Sequence, residues 1–136
     1  MTAIATRTAT TTSPVRATGV YRRLQRESRA AAADPVELVA MLYDELEVAI
    51  GVLRSMIRQG QRISATDPAH RARAILIGLD ANLDHEAGGE VAASLSRVYR
   101  SMRRKLDDAV AANSEESLSE LLEGVQTISS AWRQLR

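Results

Sequence analysis

The chain has 136 residues with 18 basic and 17 acidic side chains, so its net charge of +1 does not point to a nucleic-acid partner. Apolar residues make up 45% of the chain, but aromatics only 3% and Phe is absent, which predicts an aliphatic core between helices. The absence of Cys excludes disulfides and thiolate metal sites. No apolar run approaches the roughly 20 residues of a membrane span, and no hydrophobic signal region marks the chain for secretion.

The N-terminal part divides into two stretches. Residues 1–18 are rich in Thr, Ala and Ser without periodicity, so we predict a disordered arm there and a helical domain over 19–136. Between Gly19 and Ala33, apolar side chains alternate with arginines, as in a short amphipathic helix or a basic tail. These apolar side chains are Val20, Tyr21 and Leu24. We interpret this stretch as a weakly docked N-terminal segment.

The helix predicted from Asp34 to Ile57 has the widest apolar surface in the chain. Asp34 suits the N-cap, Pro35 suits the first turn because it lacks an N–H, and Gly60 predicts the stop. Two adjacent apolar stripes together cover about 220° at 100° per residue, whereas one core-facing stripe needs little more than 100°. The first stripe comprises Leu38, Met41, Leu42, Val52, Leu53 and Met56, and the second comprises Val39, Tyr43, Leu46, Ile50, Leu53 and Ile57. We therefore expect this helix to be covered on two sides.

Three further helices follow. Asp67–Pro68 repeats the start signal, with Asp67 as the cap, and Gly88–Gly89 predicts the end of that helix. Its apolar face comprises Ala72, Ile75, Leu76, Leu79 and Leu83, with Ile77 off that face. Glu90 opens a helix with a narrower stripe, and Ser114 is the predicted N-cap of the last helix, whose core side includes Trp132. The pattern predicts an all-α fold, an antiparallel four-helix bundle with a short extra N-terminal helix or segment.

Few residues suggest catalysis or metal binding. A carboxylate-bridged di-metal site in a bundle needs paired Glu-x-x-His repeats, but the chain has only His70 and His85, and neither lies three residues after a Glu. Because Gly-rich phosphate loops and zinc signatures are also absent, we predict no cofactor and no metal site. Glu45 falls within the wide apolar arc, where we expect it to lie at a seam and reach solvent or an arginine.

The back of the helix that begins at Glu90 is basic. Its cations are Arg97, Arg100, Arg103, Arg104 and Lys105. No aromatic side chain interleaves with them for base stacking, and the acidic last helix offers countercharge nearby. We therefore interpret this surface as a solvated outer face and predict no nucleic-acid partner.

Three motifs resemble those of the flagellar secretion chaperones of the FliS type. The first, Ser-Pro-x-x-Leu-Ile-x-Met-Leu-Tyr/Phe-Asp-Gly, is matched by Asp34-Pro35-x-x-Leu38-Val39-x-Met41-Leu42-Tyr43-Asp44. The second, Gly-Gly-Glu-Ile-Ala-x-Asn-Leu-x-x-Leu-Tyr-x-x-Met, is matched by Gly88-Gly89-Glu90-Val91-Ala92-x-x-Leu95-x-x-Val98-Tyr99-x-x-Met102. Ala131–Trp132 resembles the Ala-Trp that ends their last helix, and Tyr21 falls where they carry an N-terminal tyrosine. The resemblance covers residues 19–136, with Glu45 in place of Gly and Ser94 in place of Asn.

This resemblance implies a cytoplasmic, non-enzymatic chaperone. Such a protein binds the C-terminal segment of flagellin, prevents premature polymerisation and delivers it to the flagellar type III export apparatus. Export-gate or flagellar regulatory proteins would be further partners, and the free protein would be a monomer or a weak homodimer. A wide apolar arc suits the binding of an amphipathic helix in a groove. We predict that this groove is lined by Tyr21, Val39, Leu42, Tyr43, Leu46, Ile50, Leu53, Ile57 and Ile77.

The sequence leaves two other functions open, and it suggests a segment that covers the groove. Ala69-His70-Arg71-Ala72-Arg73 faintly resembles the Ala-His-x-x-Lys pattern of histidine phosphotransfer domains, which are also four-helix bundles, although His70 lies in a first turn. A generic helical adaptor with another client is the other alternative. We also expect Gly19–Arg29 to cover part of the groove in the free protein, because a bare apolar groove promotes aggregation.

Overall fold

The computed structural model describes residues 35–135, which form four helices. These are α1 (Pro35–Arg58), α2 (Asp67–Ala81), α3 (His85–Ala112) and α4 (Glu115–Arg133). Both α1 and α3 pack against α2 and α4, so α1 and α3 lie diagonally opposite each other. The predicted all-α four-helix bundle is confirmed. The predicted arm at 1–18, the extra N-terminal segment with Tyr21 and the Asp34 cap lie outside the described residues.

Two of the predicted helix ends are confirmed, the stop of α1 at Gly60 and the N-cap of α4 at Ser114. Gly60, just beyond the end of α1, has a φ of 82°, which glycine adopts without steric cost. Ser114 caps α4, because its Oγ accepts a hydrogen bond from the backbone N–H of Ser117 at 3.1 Å. Within 35–135, no helix is long and apolar enough to cross a membrane.

The predicted boundaries of α2 are wrong at both ends. Thr66, not Asp67, holds the N-cap position, and Asp67 is the first helical residue. At the other end α2 stops at Ala81, because the Asn82 side-chain amide donates to the Gly78 carbonyl at 2.7 Å and closes the last turn. The next helix, α3, then begins at His85, and Asp84 caps it because its carboxylate accepts from the Ala87 N–H at 3.0 Å.

Gly89 therefore kinks α3 and does not end α2. Its φ of 50° and ψ of −124° lie in a region that glycine alone reaches readily. The residues after the kink continue α3 to Ala112, so the Gly88–Gly89 pair redirects the chain within one element.

The core is aliphatic, as predicted, and is closed by polar contacts at both ends. At one end the Asn113 side chain joins the two adjacent loops, accepting from the Ile63 N–H at 2.9 Å and donating to the Gln61 carbonyl at 3.2 Å. At the other end Trp132, which is buried, donates its indole N–H to the Val36 carbonyl at 2.9 Å. The N-terminal turn of α1 is thereby fastened to the end of α4.

Candidate partner-binding groove

Most of the predicted groove residues lie in the interior of the bundle. The predicted set that is buried comprises Val39, Leu42, Tyr43, Leu46, Ile50 and Leu53, none of which is more than 5% exposed. Both α2 and α4 pack against α1, and these six side chains belong to the hydrophobic core cluster. These six side chains are therefore buried in the free protein, and their part in binding a client stays a prediction.

The remaining predicted residues do not form one site. Ile57 is half-buried against the core near the end of α1. Ile77 is 37% exposed, but it lies one turn after Arg73, whose Nε donates to the Asp107 carboxylate of α3 at 3.0 Å. Ile77 therefore lies on the side of α2 that borders α3, away from α1. Tyr21 is outside the described residues.

An open apolar groove does exist between α1 and the start of α2. Val48 and Val52, one turn apart on α1, are 66% and 43% exposed. Together with Ala49 and Pro68 they form the walls of a groove of about 410 Å³. Two adjacent exposed valines beside a proline offer an apolar surface to a partner.

The wide apolar arc of α1 indicated surplus apolar surface but not its direction. Val52 belongs to the first stripe, and Val48 lies outside both stripes. The signal that could have revealed the groove is the spacing of Val48 and Val52, which are four residues apart and therefore on one flank. Only the position of α2 shows that this flank remains uncovered.

Charged side chains line the rim of the groove. Glu45 of α1 accepts a hydrogen bond from the Arg71 guanidinium of α2, which confirms the prediction that Glu45 lies at a seam and reaches an arginine. Asp67 lines the same groove. Both partners of the Glu45–Arg71 pair are partly exposed, so the pair contributes little to the stability of the fold. The site is thus an apolar groove with a charged edge.

The histidines do not assemble a second site. His70 is exposed in the first turns of α2, and His85 is the exposed first residue of α3. Across residues 35–135, no group of three His, Cys, Asp or Glu side chains could hold a metal ion.

One arginine of the basic face of α3 pairs with α2. Arg100 donates to the Asp80 carboxylate of α2 at 3.2 Å, and Asp80 also accepts from the Ser96 hydroxyl. The acidic start of α4 faces α1 instead, where Glu115 pairs with Arg54 and Arg58. Farther along α4, Glu120 lines the same surface pocket as Lys105 of α3, so part of the expected countercharge does lie near this face.

A family model places this bundle among known proteins. The model described as "Flagellar protein FliS" matches residues 17–136. The chain belongs to the FliS family. It is similar to the flagellar secretion chaperone FliS of Salmonella typhimurium, with 33% identity over 85% of this chain and 86% of the relative. The corresponding proteins of Vibrio cholerae and Campylobacter jejuni are 27% and 31% identical, over 85% and 80% of this chain and 85% of each relative.

Two FliS-like motifs quoted above supply much of the core. Ala92, Tyr99 and Met102 of the Gly-Gly-Glu motif are buried on α3. Leu38 and Leu42 of the α1 motif are buried as well. In this FliS-family protein the motifs therefore supply the core of the bundle, whereas the groove residues other than Glu45 lie between the two motifs.

Proposed function

We propose that the chain is a flagellar secretion chaperone that binds the C-terminal segment of flagellin through the groove between α1 and α2. The observation that carries this proposal is the exposed Val48–Val52 pair in a protein whose relatives bear the name flagellar secretion chaperone. The protein acts by binding and not by catalysis. It meets its client in the cytoplasm, prevents premature polymerisation and presents the client for export.

The groove suits an amphipathic segment. A segment that packs into a filament carries an apolar face, which in the free chain is exposed to water and prone to self-association. Val48, Ala49 and Val52 present one turn of apolar surface along α1, and Pro68 closes the groove from α2. The client covers this surface in the helix-in-groove mode. Because a few buried contacts carry most of the energy of an interface, these two valines are the expected anchors.

This proposal is tested by titration calorimetry with a flagellin peptide from the same bacterium. The peptide comprises about the last 40 residues of flagellin, a length set by the area that coupled folding must bury. Val48→Asp and Val52→Asp should each weaken binding at least about tenfold, because a charge would be buried under the client. Both positions are exposed, so the variants should fold with an unchanged circular dichroism spectrum.

Val91→Asp is the matched control. Val91 is 60% exposed but lies on α3, so this variant should bind the flagellin peptide as the unsubstituted protein does. Loss of binding in Val91→Asp, with Val48→Asp unaffected, would place the client on α3. Failure of the unsubstituted protein to bind any flagellin peptide would reject the chaperone function itself.

A further inference from the structure

Glu45 interrupts an apolar strip that runs along α1. Met41 precedes Glu45 by four residues, and Val48 and Val52 follow it. These four positions lie within about 60° of one another at 100° per residue, on the flank that borders α2. Met41 is half-buried and the two valines are exposed. Apart from Glu45, this flank would be apolar for about three turns.

Arg71 of α2 pairs with Glu45, so an ion pair spans the groove from one helix to the other. The Arg71 guanidinium donates to the Glu45 carboxylate from the opposite helix. Both residues line the groove, whose other end is formed by Val52, Asp67 and Pro68. Since α1 and α2 are antiparallel neighbours, the ion pair joins the two helices at one end of the apolar surface.

The Glu45–Arg71 ion pair contributes little to folding. The Glu45 and Arg71 side chains are 32% and 56% exposed, and an ion pair with this exposure stabilises a fold only weakly. A client lying over the pair would remove its water, and a desolvated ion pair is costly unless new hydrogen bonds replace those to water. The chemistry of the client at this turn therefore determines the free energy of binding.

We infer that the Glu45–Arg71 ion pair selects the client segments that the groove accepts. This inference rests on the proposed function. The favoured segment is apolar over Val48 and Val52 and polar or charged at the next turn, where it hydrogen-bonds to the carboxylate or the guanidinium. A segment that is apolar at both turns binds less tightly, because it covers the ion pair without satisfying it. Glycine at position 45, as in the FliS-type signature, leaves the strip open for such a segment.

The test compares the affinities of two peptides by titration calorimetry. One is the C-terminal segment of flagellin from the same bacterium, and the other comes from a bacterium whose chaperone carries glycine at the position of Glu45. The second peptide is chosen to be apolar at two successive helical turns. The measured quantity is the ratio of the two dissociation constants. Glu45→Ala and Glu45→Gly should each shift this ratio about tenfold towards the second peptide.

Alanine removes the carboxylate without the flexibility of glycine in a helix, so a folding defect in Glu45→Gly would leave the test intact. Asp44→Ala is the matched control, because it also removes a carboxylate of α1 and breaks the Asp44–Arg133 pair, another partly exposed ion pair that does not line the groove. This control should leave the ratio unchanged.

The outcomes separate the two proposals. If the unsubstituted protein binds the first peptide and neither Glu45 variant shifts the ratio, the selectivity role is rejected while the chaperone function stands. An equal shift in Asp44→Ala would also reject it, since the effect would then follow the loss of any carboxylate on the surface of α1. Failure of the unsubstituted protein to bind either peptide would reject the chaperone function.

Discussion

The hydroxyl oxygen of Tyr43 lies 2.5 Å from the hydroxyl oxygen of Tyr99, joining the diagonally opposed helices α1 and α3 through the centre of the bundle. The ring of Trp132 meets that of Tyr43 edge-on, with centroids 6.1 Å apart and planes at 75°. This geometry is favourable for aromatic pairs. Within an otherwise aliphatic core, these three side chains link α1, α3 and α4.

The tyrosine pair makes stability depend on alkaline pH. Burial raises the pKa of Tyr43 from 10.0 to about 12, and the hydrogen bond to Tyr99 acts in the opposite direction. The folded protein therefore holds this proton more tightly than the unfolded chain. The stabilisation is complete below pH 10 and is lost as the pH rises from about 10 to about 12, by up to about 3 kcal/mol.

Tyr43→Phe should remove much of this alkaline loss, because phenylalanine has no proton to release. Urea unfolding of both proteins at about pH 8 and about pH 11 measures the difference. At pH 8 the variant should be less stable by about 1 kcal/mol, the usual contribution of a hydrogen bond. Identical losses in the two proteins between these pH values would contradict the assignment to Tyr43.

Trp132 should be among the most important side chains for stability. Trp132→Ala leaves a cavity and removes the indole hydrogen bond to the Val36 carbonyl, so we expect a loss of about 3–5 kcal/mol. Trp132→Phe retains part of the ring volume and should lose less. Thermal unfolding followed by circular dichroism measures both, and an unchanged midpoint in Trp132→Ala would show that this residue is not core.

Ile50 and Val48 should respond in opposite ways to the same substitution. Ile50 has no exposed surface, so Ile50→Asp buries an unpaired carboxylate and should cost at least about 4 kcal/mol. Val48 is exposed, so Val48→Asp should change the unfolding free energy by no more than about 0.5 kcal/mol. Urea denaturation compares the two. A stable Ile50→Asp would mean that the second stripe of α1 is accessible after all.

Two glycines offer a matched comparison of backbone effects. Gly89 has a φ of 50°, and a side chain there meets no crowding, so Gly89→Ala should cost about 1–3 kcal/mol through backbone strain alone. Gly51 lies inside α1 with open space beside it, so Gly51→Ala should stabilise the protein by up to about 1 kcal/mol. The denaturation midpoint should therefore fall in Gly89→Ala and rise in Gly51→Ala. An unchanged denaturation midpoint in Gly89→Ala would mean that the backbone at the kink relaxes to a conformation that alanine accepts.

The sequence by itself determined the helical class, the number of helices in the described region and several of their ends. Periodicity of apolar residues depends on local helix geometry, and caps such as Ser114 act on the N–H groups of their own first turn. The motifs also led to the correct family, which the match over residues 17–136 shows. The end of α2 escaped prediction because a side-chain hydrogen bond from Asn82 competes with continuation of the helix.

Only the tertiary structure decided which part of α1 is open. Periodicity measures the width of an apolar arc, but the arc does not state from which directions neighbouring helices approach. Here Tyr43 and Ile50 are buried, while Val48 and Val52 on the same helix remain exposed. The groove and the Glu45–Arg71 ion pair form between two different helices. Glu45 and Arg71 are 26 positions apart in the sequence, and only the relative placement of the two helices brings them together.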